Sequence, residues 1–257
     1  MPPARFAFLD GRTPLAMAHR GGAIEHVENT MAAFEACVAL GYRYLETDVR
    51  VSADGVLLAF HDATLDRVTD GQGRIAELPY REVRRALIGG REPIPRLEEV
   101  LDAWPGVRLN VDLKADGAVD PFAEVVRRAG AQRRVCVASF SSRRLRRARR
   151  RLGPEVATSL GPVGIGLLRF APRVVSRLLL PAAAVCVQAP VDRGHVTVVT
   201  PSFVENAHAL GLQVHVWTID DPTEMARLLD LGVDGIVTDR IDTLREVLLG
   251  RGQWTER

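Results

Sequence analysis

Four short apolar runs each end on a pair of reactive side chains: His19 and Arg20, Glu46 and Asp48, His61 and Asp62, Asp112 and Lys114. Glu46 and Asp48 are two residues apart, as are Asp112 and Lys114, so on an extended chain each pair points to one side. Three carboxylates brought together repel, and burial raises their pKa values further. A hard divalent cation accepting oxygens from Glu46, Asp48 and Asp112 would relieve that repulsion. Zinc is not suggested, because the chain has neither a paired-cysteine knuckle nor His-x-x-x-His. Arg20 offers a fork that matches phosphate, and Lys114 a compact charge for an oxyanion. His19 and His61 can share proton transfers, one as base and one as acid. The set suits phosphoryl transfer better than acyl transfer, since no Gly-x-Ser-x-Gly elbow supplies a serine nucleophile.

Lys114 stands out for a second reason. Of the 34 Lys and Arg residues, only residue 114 is lysine. Strong use of Arg over Lys is ordinarily a codon bias, which makes the one remaining Lys a candidate for a task that Arg cannot perform. Asn is scarce too, and of Asn29, Asn110 and Asn206 the first two fall beside these reactive runs.

The elements that must carry these residues alternate along the chain. Residues 15–20 read as a strand, and 30–41 as a helix closed by Gly41. Residues 42–52 are a second strand, which Asp54-Gly55 turns into a returning strand over 56–62. Further strands are expected at 107–114, 134–140, 155–160, 183–189, 213–219 and 235–239, with helices between them, including 221–232 and 242–250. About eight β–α units without a Ser/Gly-rich linker predict an α/β fold, a closed (β/α)₈ barrel of the TIM type, over 1–257. An open doubly wound sheet is the alternative; it is weakened because no Gly-x-Gly-x-x-Gly follows the first strand. Residues 62–97 break the alternation and read as a small insertion after the hairpin, at one rim. Reactive groups at strand ends then gather at one mouth of the barrel.

Composition excludes several classes. The 257 residues are 47% hydrophobic and 26% charged with net charge +2, ordinary for a globular protein and without a field for nucleic acid. Cys37, Cys136 and Cys186 lie far apart in apolar runs and read as reduced core residues. The first twenty residues lack a charged segment followed by a long apolar one, and no charge-free apolar window of about 18 residues spans a bilayer. A cytoplasmic enzyme or binding domain is expected.

Two other runs invite partners. On a helix over 141–152, Leu145, Ala148 and Leu152 share one face and leave the arginines in solvent, which favours a solvated helix over a polyanion site. Residues 166–181 are apolar with Arg169, Arg173 and Arg177 every fourth position. They read first as a core-facing barrel helix and second as an amphipathic helix in weak contact with a membrane surface.

The blocks His19-Arg20-Gly21, Glu28-Asn29-Thr30, Glu46-Thr47-Asp48, His61-Asp62 and 65–73 resemble the glycerophosphodiester phosphodiesterases. So do 110–114, Ser139-Phe140, Val216-Trp217-Thr218 and 232–239, in order along nearly the whole chain. The resemblance implies a (β/α)₈ barrel and metal-dependent hydrolysis of small-molecule glycerophosphodiesters to glycerol 3-phosphate and an alcohol. It implies His19 and His61 as the acid/base pair, Glu46, Asp48 and Asp112 as ligands of Mg²⁺ or Ca²⁺, and Arg20 and Lys114 on phosphate. Trp217 would wall the glycerol pocket, and Glu28 and Asn29 would order the loop and cap the first helix. In the related mechanism the neighbouring glycerol hydroxyl attacks first, and water then opens the cyclic phosphate. Asp112 stands where the family usually has Glu, Asp220 where Asn is common and Arg240 where Pro is common. A lysophospholipase D-like hydrolase on the same barrel, and a non-catalytic phosphodiester-binding barrel, are the competing readings.

Overall fold

Leu15, Met17 and His19 alternate with Ala16 and Ala18 along the first strand, and this period of two turns the first set into the barrel interior. The computed structural model describes residues 6–22 and 26–254. Residues 1–5, part of the N-terminal stretch read above for a leader, lie outside them.

The strands are β1 (Leu15–His19), β2 (Tyr44–Val51), β3 (Leu57–Ala59), β4 (Leu87–Ile88), β5 (Glu92–Pro93), β6 (Arg108–Leu113) and β7 (Val135–Ala138). They continue with β8 (Ala157–Ser159), β9 (Ala184–Pro190), β10 (Asp192–Arg193), β11 (Val196–Thr197), β12 (Gln213–Trp217) and β13 (Gly235–Thr238). The helices are α1 (Met31–Ala39), α2 (Tyr80–Val83), α3 (Leu97–Ala103), α4 (Val119–Arg128) and α5 (Ser142–Leu152). Then come α6 (Pro162–Phe170), α7 (Arg173–Leu179), α8 (Pro201–Ala209), α9 (Pro222–Asp230) and α10 (Ile241–Gly250).

Eight parallel strands run in the order β1-β13-β12-β9-β8-β7-β6-β2, and β2 pairs again with β1, so the barrel closes. The open-sheet alternative is thereby excluded. The returning strand β3 pairs antiparallel with β2 outside the ring. The chain then folds α2, β4 and β5 around a separate apolar cluster that includes Phe60, Leu65, Ile75, Val83 and Ile88, at the place expected for the insertion.

Inside the barrel, Leu15, Met17, Tyr44, Cys136, Cys186 and Val237 fill the lower part, and a 3₁₀ turn at Ala7–Leu9 plugs it. Tyr44 donates its hydroxyl proton to Phe8 O at 2.7 Å, which satisfies the phenol inside that plug. The two-residue period continues upward into polar groups, so Glu46 and Asp48 sit above Tyr44, and Asp112 above Asn110. Gly235 is glycine because a Cβ there would lie 2.9 Å from His215 Cδ2. Outside the ring, Phe34, Val100, Phe122 and Leu145 pack the helices on the strands. Full burial of each such large side chain stabilises the fold by roughly 1.5–3 kcal/mol. Cys37, Cys136 and Cys186 are free and buried.

Three local expectations change. Helix α1 is capped by Thr30, whose Oγ1 accepts from Ala33 N at 3.1 Å; Asn29, expected at the cap, has φ 58° and its Oδ1 accepts a hydrogen bond from Thr47 Oγ1 instead. In α5 the apolar stripe is buried as read, yet Arg144 donates to Leu113 O and Ser139 Oγ, and Arg149 to Thr158 and Ser159 O. Those two arginines tie the helix to strand ends rather than face solvent. Finally, 166–181 is not one core-facing helix. Pro172 cannot continue α6, so α7 starts afresh after it and leaves its apolar residues exposed.

Candidate active site

The upper mouth of the barrel holds a cavity of about 590 Å³ lined by His19, Arg20, Glu46, Asp48, His61, Asp112, Lys114 and Trp217, among others. The sequence-predicted residues thus line one cavity although up to 198 positions separate them (19 to 217). The reason is topological. Except for His61, each lies on a parallel barrel strand or in the first loop residues after it, and parallel strands end on the same side. His61 follows the antiparallel β3, which runs back beside β2 until Phe60 N donates to Asp48 O at 2.9 Å.

Arg20 is bent back into the site by its backbone. Its φ is 51°, uncommon for a residue with a side chain, and its N–H donates to Glu46 O at 3.0 Å. The turn continues through Gly21 at φ 86°, where a Cβ would also meet Ala33 Cβ at 2.8 Å. The guanidinium then reaches Glu28 Oε1 at 3.1 Å and places Nε 3.0 Å from Asp48 Oδ2.

The two imidazoles are held alike. His19 Nδ1 is 2.8 Å from Asp239 Oδ1, and His61 Nδ1 is 2.6 Å from Asp62 Oδ1. In the neutral ring this makes Nδ1 the donor and leaves Nε2 as the acceptor. His19 Nε2 lies 3.9 Å from Glu46 Oε2. Behind His61, Arg67 bridges Asp62 and Glu28, and Arg50 donates to the His61 carbonyl at 2.9 Å. Burial works to raise the Asp62 carboxyl, but the hydrogen bonds from Arg67 and His61 prevail and hold it at about 2.

Lys114 lies between two carboxylates, with Nζ 2.7 Å from both Asp48 Oδ1 and Asp112 Oδ2. Burial opposes its charge, yet the neighbouring Asp48 and Asp112 raise its pKa above the ordinary lysine value. Among the described residues, no three His, Cys, Asp or Glu side chains form a ready-made ion cage, and Asp48 and Asp112 both pair with this ammonium. The donor set nevertheless fits a hard cation. Glu46, Asp48 and Asp112 are at most 7% exposed, and Asp112 Oδ1 is buried without a hydrogen-bond partner. Burial and the Asp48 charge push the Glu46 carboxyl up to about 8, a cost that a divalent charge would reverse.

Several contributors were not named as site residues from the sequence. Asp239 orients His19, and its signals were an acid at the end of the last strand and its place closing the block 232–239. Asp220 accepts from the backbone of Asp239 and Arg240 and from Thr238 Oγ1, so the acid at this departure buttresses the loop that carries Asp239. Arg67 comes from the insertion, and its signal was only its place in the block 65–73. Phe140 is 64% exposed, stacks edge-on against Trp217 at 5.6 Å and lies under the Lys114 ammonium at 5.6 Å.

Burial disfavours the His19 imidazolium, but the hydrogen bond to Asp239 and the charges of Glu46 and Asp239 outweigh it and raise the pKa above 6.5. A raised value in the folded state stabilises the fold below the unfolded value, and that contribution disappears as pH rises through the folded midpoint. In metal-free protein, Asp239→Asn is expected to lower the His19 midpoint measured by NMR and to reduce stability on the acidic side. An unchanged midpoint would mean that Asp239 does not set the His19 charge.

The model of the glycerophosphoryl diester phosphodiesterase family matches residues 19–243. The "Probable glycerophosphodiester phosphodiesterase 2" of Mycobacterium tuberculosis is 43% identical, over 98% of this chain and 97% of that protein. The rat "Lysophospholipase D GDPD1" is 27% identical over 90% of this chain and 85% of that protein. The crystal structure of a glycerophosphodiester phosphodiesterase from Agrobacterium tumefaciens superposes with a TM-score of 0.74 at 26% identity, covering 90% of this chain and 98% of that one.

Proposed function

The chain belongs to the glycerophosphoryl diester phosphodiesterase family, and from that premise we propose that it hydrolyses glycerophosphodiesters to glycerol 3-phosphate and an alcohol in the cavity at the barrel mouth. The observation that carries this reading is the pair of carboxylate-held imidazoles, His19 on Asp239 and His61 on Asp62, on one cavity with Arg20, Lys114 and the three buried carboxylates. Residues 1–257 act as one catalytic unit, in which the insertion at about 62–97 contributes Arg67 behind His61.

Arg20 and Lys114 hold the phosphate, the first as a fork and the second as a compact charge. One imidazole accepts the proton of the neighbouring glycerol hydroxyl as its oxygen bonds to phosphorus. The other protonates the departing alcohol as the exocyclic P–O bond breaks. In the second step the roles reverse: water bonds to phosphorus, a ring P–O bond breaks, and the released glycerol oxygen regains a proton. Glu46, Asp48 and Asp112 would hold Mg²⁺ or Ca²⁺, which when bound polarises the phosphoryl oxygens and neutralises developing charge. Trp217, with Phe140 against its ring, walls the glycerol side. A cytoplasmic place of action fits the three free, buried cysteines.

A lysophospholipase D-like activity is the second reading, favoured by exposed apolar side chains on the helix that lines the cavity through Pro162 and Ile165. Weak contact of residues 166–181 with a membrane surface would belong to it. Among the described residues no helix is long and apolar enough to cross a membrane.

Glycerophosphocholine incubated with the protein should yield glycerol 3-phosphate and choline, cease to do so in EDTA, and resume when Mg²⁺ or Ca²⁺ is restored. Release of phosphocholine and glycerol would place the cut on the wrong side of phosphorus and end the proposal. Turnover of lysophosphatidylcholine alone would transfer it to the second reading.

A further inference from the structure

Helix α7 is packed inside out. Its buried residue is Ser176, 1% exposed, whose hydroxyl donates to Leu167 O of α6 at 3.1 Å. Its apolar residues face away: Val174 is 71%, Leu178 78% and Leu179 63% exposed, and Phe170 at the end of α6 is 69% exposed. An isolated exposed leucine needs no explanation, but a contiguous apolar patch marks a contact surface.

Charge narrows the occupant. From residue 156 to residue 191 the chain contains no Asp, Glu, Lys or His, and its only charged side chains are Arg169, Arg173 and Arg177. Arg173 and Arg177 are exposed and lie four apart, on one side of α7 beside the Val174–Leu178 pair. Arg169 lies over the Phe170 ring at 5.0 Å. Arg173 Nε also donates to Asn206 Oδ1 of α8 at 3.1 Å. An apolar ridge bordered by cations, with no acid in its own segment, is complementary to a negatively charged lipid surface, with side chains entering the acyl boundary and guanidiniums meeting phosphates. The patch also joins the reaction site, since α6 turns Pro162 and Ile165 toward the cavity while Val163 is 66% exposed.

We propose that the α6–α7 face docks the enzyme on anionic phospholipid bilayers, holding the cavity wall at the lipid surface from which amphiphilic diesters are taken. This deepens the lipid reading above by naming its surface. Its test is separable, because vesicle binding is measured without turnover.

The full chain is sedimented with vesicles of phosphatidylcholine alone and of equal parts phosphatidylcholine and phosphatidylglycerol. Binding to the anionic vesicles is expected to be at least about tenfold stronger than to the neutral ones and to weaken with salt. The double variant Val174→Glu/Leu178→Glu should stay in the supernatant, and Arg173→Gln/Arg177→Gln should lose the anionic preference. Both should keep wild-type turnover of glycerophosphocholine, which also shows that they are folded. Wild-type protein that stays in the supernatant with both vesicles overturns the proposal, as does undiminished binding by the Glu variant. A wild-type dimer in solution that the Glu variant converts to monomer overturns it in favour of a second copy on this face.

Discussion

His19→Ala and His61→Ala are each expected to lower turnover of glycerophosphocholine by about 10²–10⁴-fold, with a much smaller change in KM. Each imidazole has its Nδ1 fixed by a carboxylate at 2.6–2.8 Å, which orients the ring and selects the tautomer. Alanine removes the proton carrier without disturbing the fold far from the mouth, because both residues are at the ends of strands above the apolar plug. The double variant should lose little more than either single variant, since acid and base act in one transition state. Steady-state kinetics on the metal-loaded enzyme checks this. A single variant at wild-type turnover would remove that residue from the mechanism.

Asp112→Ala and Lys114→Arg break the same cluster and are expected to separate by their metal dependence. Asp112→Ala should lose about 100-fold or more in activity and raise the metal concentration needed for half-activation by about tenfold or more. It removes an oxygen ligand and leaves Lys114 paired with Asp48 alone. Lys114→Arg should cost about tenfold or more in turnover with the metal midpoint little changed. Nζ approaches two carboxylate oxygens at 2.7 Å each, and a planar guanidinium is too wide and too long for that place. Titration of each variant with Mg²⁺ and Ca²⁺ reads both quantities. An unmoved midpoint in Asp112→Ala would show that Asp112 is not a ligand. Full turnover in Lys114→Arg would leave codon bias as the explanation for the single lysine.

The barrel was legible because its signals are local. Alternating apolar runs, Gly41 and Gly55 at element ends, and β–α alternation each follow from the chain within a few residues. The reactive pairs at strand ends were legible for the same reason, since a period of two and a strand terminus suffice to aim Glu46 with Asp48 and Asp112 with Lys114. The α6–α7 region was misread as core-facing because a run of Leu and Val scores the same whether its partner is the barrel or something outside the chain.

Sequence alone therefore determined the class of chemistry and the side of the strands on which it sits. Tertiary structure decided who holds whom. Asp239 meets His19 across 220 positions, and Arg67 meets Glu28 across 39, because ring closure and the folded insertion bring distant ends within hydrogen-bond reach. It also decided that Ser176 is buried and Leu178 exposed, since hydropathy ranks residues but only packing selects the face that finds a partner.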